Sequence, residues 1–142
     1  MIAVGIEFPD DLYYQVEHQV WARPEADGLV RVGITALGIR LAGEIYMCRP
    51  KEAGSVLEAG RSVAVVELAK SIVSVKSPLA GTVVEVNPVL ARRPEQVHRE
   101  PYGEGWLVRV RAADWATAAR QLVHGEAVAA AMQQHAALNR IE

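Results

Sequence analysis

Residues 62–76 read SVAVVELAKSIVSVK. Within this stretch, Ser62–Glu67 and Ile72–Lys76 are two short runs rich in valine and isoleucine, and residues 68–71 connect them. Short runs of β-branched residues are typical of strands, and so short a connection predicts an antiparallel hairpin. Lys70 falls where the chain must reverse, so we expect its side chain to extend into solvent.

Further short β-rich runs lie on both sides of this hairpin. Turn residues such as Asp27-Gly28, Ala59-Gly60 and Ser77-Pro78 separate them. Turns at such close spacing favour a small barrel or sandwich, with a core over about residues 20–111. The predicted strands cover residues 30–34, 44–47, 62–67, 72–76, 82–86 and 106–110.

A loose internal echo flanks Lys70. Residues 41–46 read LAGEIY and residues 79–84 read LAGTVV. Two similar strand entries on either side of an exposed hairpin are what a quasi-symmetric, flattened barrel would require. We therefore expect both copies to begin strands.

The composition changes after Asp114, a residue type that favours a helix N-cap. Apolar residues then recur at helical spacing, and Gly125 predicts a break between one helix over 115–124 and another over 126–139. We expect this helical extension, about residues 114–140, to pack on the barrel, so that residues 1–142 form a single domain.

The bulk composition limits the classes of function. A formal charge of −2 of mixed sign leaves no basic footprint for nucleic acid, and no run of about 18 apolar residues could span a membrane. Glu7, Asp10 and Asp11 stand where a secretory signal would need a basic, then apolar start, so we expect a cytoplasmic protein. The single Cys48 is interpreted as a small buried hydrophobe, with redox pairing as the alternative.

We do not expect the chain to catalyse a reaction by itself. The four histidines lack metal-ligand spacing, so no metal site is predicted, and no nucleophile has a base that can be identified from sequence. Among the fifteen basic residues only Lys51, Lys70 and Lys76 are lysines. A lysine-specific modification therefore has three candidate sites.

Three motifs carry a family resemblance. They are VELAK at residues 66–70, SPLAGTVVEVN at 77–87 and PYGEGWL at 101–107, and VGIT at 32–35 accompanies them. Together they resemble the H protein of the glycine cleavage system. The resemblance implies a lipoyl/biotinyl-type flattened β-barrel with added terminal helices and lipoate bound covalently to Lys70.

The same resemblance implies roles and partners. It makes the chain a non-catalytic carrier with a lipoyl swinging arm, and it makes Glu67, with Ala69 and Ser71, the recognition surface of the hairpin. The implied partners are a lipoate-protein ligase or lipoyl transferase, the glycine cleavage enzymes and dihydrolipoamide dehydrogenase. Biotin is the weaker choice, because biotinyl lysines usually sit between methionines, and Ala69 and Ser71 flank Lys70.

The sequence departs from that family in the cleft that receives the arm. In glycine-cleaving members a glutamate, a histidine and an aspartate line the cleft around the aminomethyl cargo, and such groups suit a cationic nitrogen. Carried across by position, they become Gln19, Leu37 and Ser74. Without the two carboxylates, the cleft has lost the charge that would stabilise an amine.

A second resemblance offers another cargo. Residues 8–14, FPDDLYY, resemble the opening of H-like lipoate-binding proteins of sulfur-oxidising prokaryotes, which serve a heterodisulfide-reductase-like complex. The favoured hypothesis is therefore an arm that shuttles sulfur intermediates or electrons by thiol–disulfide exchange. The alternatives are an H protein carrying the aminomethyl group and a cofactor-free interaction module with the same fold.

Overall fold

The computed structural model describes residues 1–139. The strands are β1 (Ile2–Ala3), β2 (Ile6–Glu7), β3 (Tyr13–Gln15), β4 (Val20–Pro24), β5 (Leu29–Ile34), β6 (Met47–Pro50), β7 (Val56–Leu57), β8 (Ser62–Glu67), β9 (Ile72–Lys76), β10 (Gly81–Val86) and β11 (Val108–Ala112). The helices are α1 (Ala36–Ala42), α2 (Gln96–Arg99), α3 (Trp115–Arg120) and α4 (Ala127–Leu138). Short 3-10 turns lie at Ala26–Gly28 and Pro88–Ala91.

The strands form two main sheets, in which neighbouring strands are antiparallel. Six of them lie in the order β3-β4-β5-β11-β10-β7, three in the order β6-β8-β9, and β1 with β2 forms a small ribbon. Apolar side chains from both main sheets meet in a first core. The expected mainly β fold of sandwiched hairpin sheets with C-terminal helices is confirmed.

The hairpin of β8 and β9 has the strand bounds expected from the sequence. Glu67 is the register partner of Ile72, and the backbone N–H of Leu68 donates to the carbonyl of Ser71 at 2.8 Å. These pairings close the loop tightly, because they leave only residues 69 and 70 between the closing pair. Lys70 is thereby held at the tip of a two-stranded projection.

Strand β4 separates two cores. Val20 and Ala22 point into the first core, whereas Trp21, on the opposite face, points into a second core beneath β1, β2 and α4. All three side chains are fully buried, as strand alternation requires when both faces of a strand are covered. The terminal segments are therefore packed onto the sheet and do not extend from it.

Trp21 is fixed from two directions. Its indole N–H lies 3.1 Å from the carbonyl oxygen of Ile34 and 3.0 Å from that of Pro101. Its ring lies directly on Gly33 of β5, where a Cβ would overlap the indole. Gly33 is therefore needed because any side chain at this position would occupy the space of the Trp21 ring.

The segment before β6 differs from the expectation. The strand predicted over 44–47 is wrong over its first three residues, because β6 begins at Met47, and a helix, α1, precedes it. Thr35 caps α1 by accepting from the N–H of Gly38 at 2.9 Å, and Gly43 ends it with φ +94°. The echo therefore fails structurally: its first copy ends a helix, whereas its second begins β10.

Two other element boundaries, the start of β11 and the end of α3, differ from the prediction. Strand β11 begins at Val108, two residues later than predicted. The helix predicted over 115–124 ends at Arg120, because Val123 instead exchanges two backbone hydrogen bonds of 2.8 Å with Tyr14. Asp114 caps α3 as expected, and hydrogen bonds from Thr117 lower the pKa of its carboxyl. Residues 140–142, including the predicted end of the helical extension, lie outside the described residues.

The loop before β11 contains a glycine with no room for a side chain. A Cβ on Gly105 would overlap the carbonyl oxygens of Gln96 and Glu100. A Cβ on Gly103, two residues earlier in the same loop, would have its nearest neighbour at 3.8 Å. The two positions form a matched pair for testing this packing.

Gly105→Ala should destabilise the protein by about 3 kcal/mol, because backbone carbonyls cannot move aside cheaply. For a chain of this size, that corresponds to a fall in Tm of about 10 °C in a thermal melt followed by circular dichroism. Gly103→Ala should melt within about 2 °C of the wild type. Equal melting temperatures for the two variants would contradict the packing described for Gly105.

Candidate functional site

Lys70 lies at the exposed tip of the β8–β9 hairpin. It and its neighbours Ala69 and Ser71 are exposed, and within residues 1–139 its ammonium group makes no hydrogen bond or ion pair. Lys76, in contrast, is half-buried and donates to the hydroxyl of Ser74 at 3.2 Å. Lys51 is exposed but lies beyond the end of β6, away from any hairpin tip.

A wide cleft opens beside the hairpin. Its volume is about 510 Å³, and it lies between the hairpin, α1, the turn before β4 and the end of α4. It reaches Ser71, next to Lys70 in the chain. The lining residues are Glu17, His18, Gln19, Gly38, Leu41, Ala42, Leu68, Ser71, Val73, His135 and Asn139.

A narrow cleft of about 100 Å³ adjoins the wide one and shares His18, Gly38, Ala42 and Val73 with it. Its lining is apolar apart from one imidazole and one serine. The residues are His18, Ile34, Gly38, Ile39, Ala42, Ile45, Val66, Val73, Ser74 and Val75. No carboxylate lines this cleft.

Gln19 lines the wide cleft, but its amide is fully engaged. It is 3% exposed, its Oε1 accepts from the hydroxyl of Thr35 at 2.5 Å, and its Nε2 donates to the carbonyl of Val16 at 2.7 Å. Its backbone has φ +54°, so these bonds hold a conformation that non-glycine residues rarely adopt. Gln19 is therefore a neutral support of the cleft wall.

Ser74 lies on β9 in the narrow cleft, and its hydroxyl is bound to the ammonium group of Lys76. The position that the resemblance equates with an amine-binding aspartate thus stands next to a positive charge. Lys76 itself lines neither cleft, so the Ser74 position is neutral and offers no carboxylate to a ligand.

Leu37, the third predicted cleft residue, lies elsewhere. It is fully buried in the second core with residues such as Trp21 and Met132, and it lines neither cleft. The reason is the helix that the sequence did not reveal: α1 turns Leu37 inward and presents Gly38 and Ala42 to the cleft. In this structure Leu37 is therefore part of the second core and faces neither cleft.

Two histidines were missed as cleft residues. His18 lines both clefts, and its buried Nδ1 has no hydrogen-bond partner within the described residues. His135, on α4, lines the wide cleft, where burial lowers its pKa and Glu17 opposes that effect. They come from opposite ends of the chain, so no local spacing could have predicted that they share a cleft.

The family model for the glycine cleavage H-protein matches residues 12–135. The chain belongs to the glycine cleavage H-protein family. It is 36% identical to glycine cleavage system H protein 3 of Aquifex aeolicus over 134 residues, covering 92% of this chain and 83% of the relative. It is 42% identical to the glycine cleavage system H protein of Halorhodospira halophila over 108 residues, covering 76% and 82%.

A solved structure extends the match to three dimensions. The crystal structure of a glycine cleavage system H protein from Mycobacterium marinum superposes with a TM-score of 0.74 at 29% identity. The match covers 94% of this chain and 99% of that chain. It confirms the lipoyl-type barrel predicted for this member of the H-protein family.

H proteins of this family carry lipoate covalently on a lysine, which confirms the predicted cofactor. The residues present fit the group, because the chain offers an exposed lysine whose amine is unpaired within the described residues. No helix in residues 1–139 has the length and apolar character needed to cross a bilayer. That same part of this H-protein chain contains no group of three or more His, Cys, Asp or Glu placed to hold a metal ion.

Cys48 of this H-protein family member faces the first core from β6. It is 6% exposed, as expected for a small buried hydrophobe, and burial raises the pKa of its thiol to about 12. It does not line either cleft. Its position favours packing over redox pairing with the arm.

Cys48 should react with a thiol reagent such as dithionitrobenzoate at pH 8 at least about a hundredfold more slowly in the folded protein than in denaturant, since only the thiolate attacks. The Cys48→Ala variant gives the reagent blank, because the chain has no other cysteine. Rapid labelling of the folded protein would contradict the buried position and revive the redox interpretation.

Proposed function

We propose that lipoate is attached to Lys70 and that the chain is a non-catalytic carrier whose arm shuttles sulfur intermediates or electrons. The observation that carries the proposal is the position of Lys70 at the tip of a closed hairpin, beside clefts without an inward carboxylate. The partners proposed for it are a heterodisulfide-reductase-like complex and dihydrolipoamide dehydrogenase, in the cytoplasm.

Attachment at Lys70 is supported by elimination among three lysines. The amine of Lys76 is bound to Ser74, and Lys51 is not on a hairpin tip. The reaction joins the lipoate carboxylate to the Nζ amine as an amide, while ATP is cleaved to AMP and pyrophosphate. A free amine on a fixed loop is what such an enzyme needs.

The rest of the hairpin positions this lysine. Glu67 is half-buried, and its backbone is paired on both sides, with Met47 and Ile72, which fixes this residue three positions before Lys70. Ala69 and Ser71 are small and leave the tip accessible. Tethering at a fixed point raises the local concentration of the arm at the site of each partner.

The clefts support sulfur over an amine as cargo. The one carboxylate in their lining, that of Glu17, belongs to a side chain that is 82% exposed and lies 4.0 Å from Nε2 of His18. Gln19 and Ser74 are both neutral, and the amide of Gln19 is already engaged in hydrogen bonds with Val16 and Thr35. A cationic amine would have no buried counter-charge, whereas a neutral or anionic sulfur group needs none.

Bound lipoate supplies a disulfide that two electrons and two protons convert to a dithiol, which suits both sulfur and electron transfer. The residues of this chain would provide an apolar wall, two imidazoles and a shared entrance next to Ser71. The aminomethyl alternative is supported by the family model, by relatives such as the Halorhodospira halophila protein and by the solved Mycobacterium marinum structure, all of which are named as glycine cleavage H proteins. A cofactor-free interaction module would leave the accessible Lys70 unused.

Lipoylation can be measured by intact mass after incubation with a lipoate-protein ligase, ATP and lipoate. The wild-type chain should gain one lipoyl group, because one lysine combines exposure with a hairpin tip. Lys70→Arg should gain none, whereas the matched variant Lys76→Arg should be modified to the same extent as the wild type. Modification of Lys70→Arg would place the arm on another lysine and refute the assignment.

The cargo of the lipoyl arm can be tested by combining the lipoylated protein with the other glycine cleavage enzymes and measuring their activity. The lipoylated protein should support glycine-dependent CO₂ exchange at less than about 1% of the rate given by the H protein of Coxiella burnetii, since a missing buried counter-charge costs about 3 kcal/mol or more. Exchange at a comparable rate would show that the arm carries the aminomethyl group and would overturn the sulfur proposal.

A further inference from the structure

The short segment between α1 and β6, residues 43–46, forms part of the narrow cleft. Ile45 lies in this segment, is 2% exposed and lines the narrow cleft together with Val66 and Val73 of the hairpin. The segment is neither helix nor strand, so each of its buried backbone N–H groups needs an acceptor of its own. The position of Ile45 in the cleft wall therefore depends on individual contacts.

An imidazole supplies the acceptor for Ile45. Its backbone N–H donates to Nδ1 of His98 at 2.9 Å. His98 lies on α2, which is anchored by the fully buried Val97. The next N–H of the segment, that of Tyr46, donates instead to the carbonyl oxygen of Glu67 at 2.9 Å. Of these two neighbouring donors, only Ile45 has an acceptor that can take up a proton.

This bond fixes the tautomer of His98. A ring nitrogen that accepts a hydrogen bond carries no hydrogen, so the neutral ring has its hydrogen on Nε2. Histidine is the side chain that changes charge between about pH 5 and pH 8. Protonation would place a hydrogen on Nδ1 as well, where it would face the N–H of Ile45. Two donors cannot bond each other, so Ile45 would lose its acceptor.

His124 makes the opposite contact. Its Nδ1 lies 2.8 Å from the carbonyl oxygen of Leu12, so this nitrogen must donate. Protonation of His124 adds a hydrogen at Nε2 and leaves the bond to Leu12 in place. The chain therefore contains one histidine contact that acid breaks and one that acid does not break.

Solvent reaches His98 through an opening of about 210 Å³. Three charged side chains line it: Glu44 from the segment itself, Glu95 from the residue before α2, and Arg99 from α2. The phenol of Tyr46 also lines the opening, and its hydroxyl donates to Glu44 at 3.4 Å. The half-buried ring can therefore exchange protons with water at a place outside both clefts.

We propose that His98 is a positioning residue for the narrow cleft, which holds Ile45 in the cleft wall when neutral and releases its backbone when protonated. Ala42 and Ile45 line the cleft on either side of Gly43 and Glu44, so release of Ile45 loosens the wall between α1 and β6. Acid would thereby weaken the hold of the cleft on a group bound in it. The contact belongs to the chain itself, and its effect on a lipoyl arm rests on the proposed function.

The test is amide hydrogen exchange followed by NMR on the full chain without lipoate. Each rate is expressed as a protection factor, relative to an unfolded peptide at the same pH. Between about pH 7.5 and about pH 5, the protection of the Ile45 amide should fall about tenfold, because one hydrogen bond is lost. The amide of Tyr46, whose acceptor is a carbonyl oxygen, should keep its protection within about twofold.

Two variants separate positioning from general packing. His98→Asn offers an amide oxygen as acceptor but cannot be protonated, so Ile45 should stay protected at both pH values. His98→Leu has no acceptor, so the protection of Ile45 should be about tenfold lower at both. The matched control His124→Asn should keep the wild-type pH dependence at Ile45.

The nitrogen-15 shifts of the imidazole rings give a second readout without mutation. At about pH 7.5 they should place the hydrogen on Nε2 of His98 and on Nδ1 of His124. A hydrogen on Nδ1 of His98, or Ile45 protection in the wild type that does not change with pH, would overturn the proposal. These measurements need no lipoate, so a failure of attachment at Lys70 would refute the proposed function and leave the role of His98 intact.

Discussion

The fold depends on the contact between the indole of Trp21 and the backbone at Gly33. This contact can form only because β5 has a glycine there, and the indole N–H joins β5 to the loop at Pro101. Loss of a buried indole of this kind costs about 3–5 kcal/mol. Since Trp21 fills the second core while Val20 and Ala22 fill the first, one strand determines how the terminal segments and the barrel fit together.

The same contact positions the clefts. Gln19 immediately precedes β4, and α1 follows β5 after the cap at Thr35, so the two cleft walls continue from the strands that Trp21 joins. The hydrogen bond between Thr35 and Gln19 ties these walls together. Lys70, the proposed site of lipoate attachment, projects from the three-stranded sheet. The molecule thus places an exposed point of attachment beside clefts whose walls come from both sheets, because Val66 and Val73 of the hairpin line the narrow cleft together with Ile34 of β5.

The parts of the structure that were predictable are those governed by short-range pattern. Two runs rich in β-branched residues and the four-residue connection between them predicted the bounds of β8 and β9 to the residue, and the acidic cap at Asp114 marked the start of α3. Helix α1 was missed because its seven residues include Gly38 and its cap at Thr35 stands directly after a strand. The inward position of Leu37 follows from that helix and could not be anticipated without it. The shared cleft of His18 and His135 depends on how α4 packs, which no local pattern encodes.

The boundaries of the hairpin have a consequence for protein chemistry. Arg61 directly precedes β8, Lys76 ends β9, and Lys70 is the one basic residue between them. Trypsin cuts after arginine and unmodified lysine, so it divides the bare hairpin into two peptides. Acylation of Lys70 removes that internal cleavage site. A complete tryptic digest would then release both strands and the loop as a single fragment, residues 62–76, a peptide whose presence reports the state of the lysine directly.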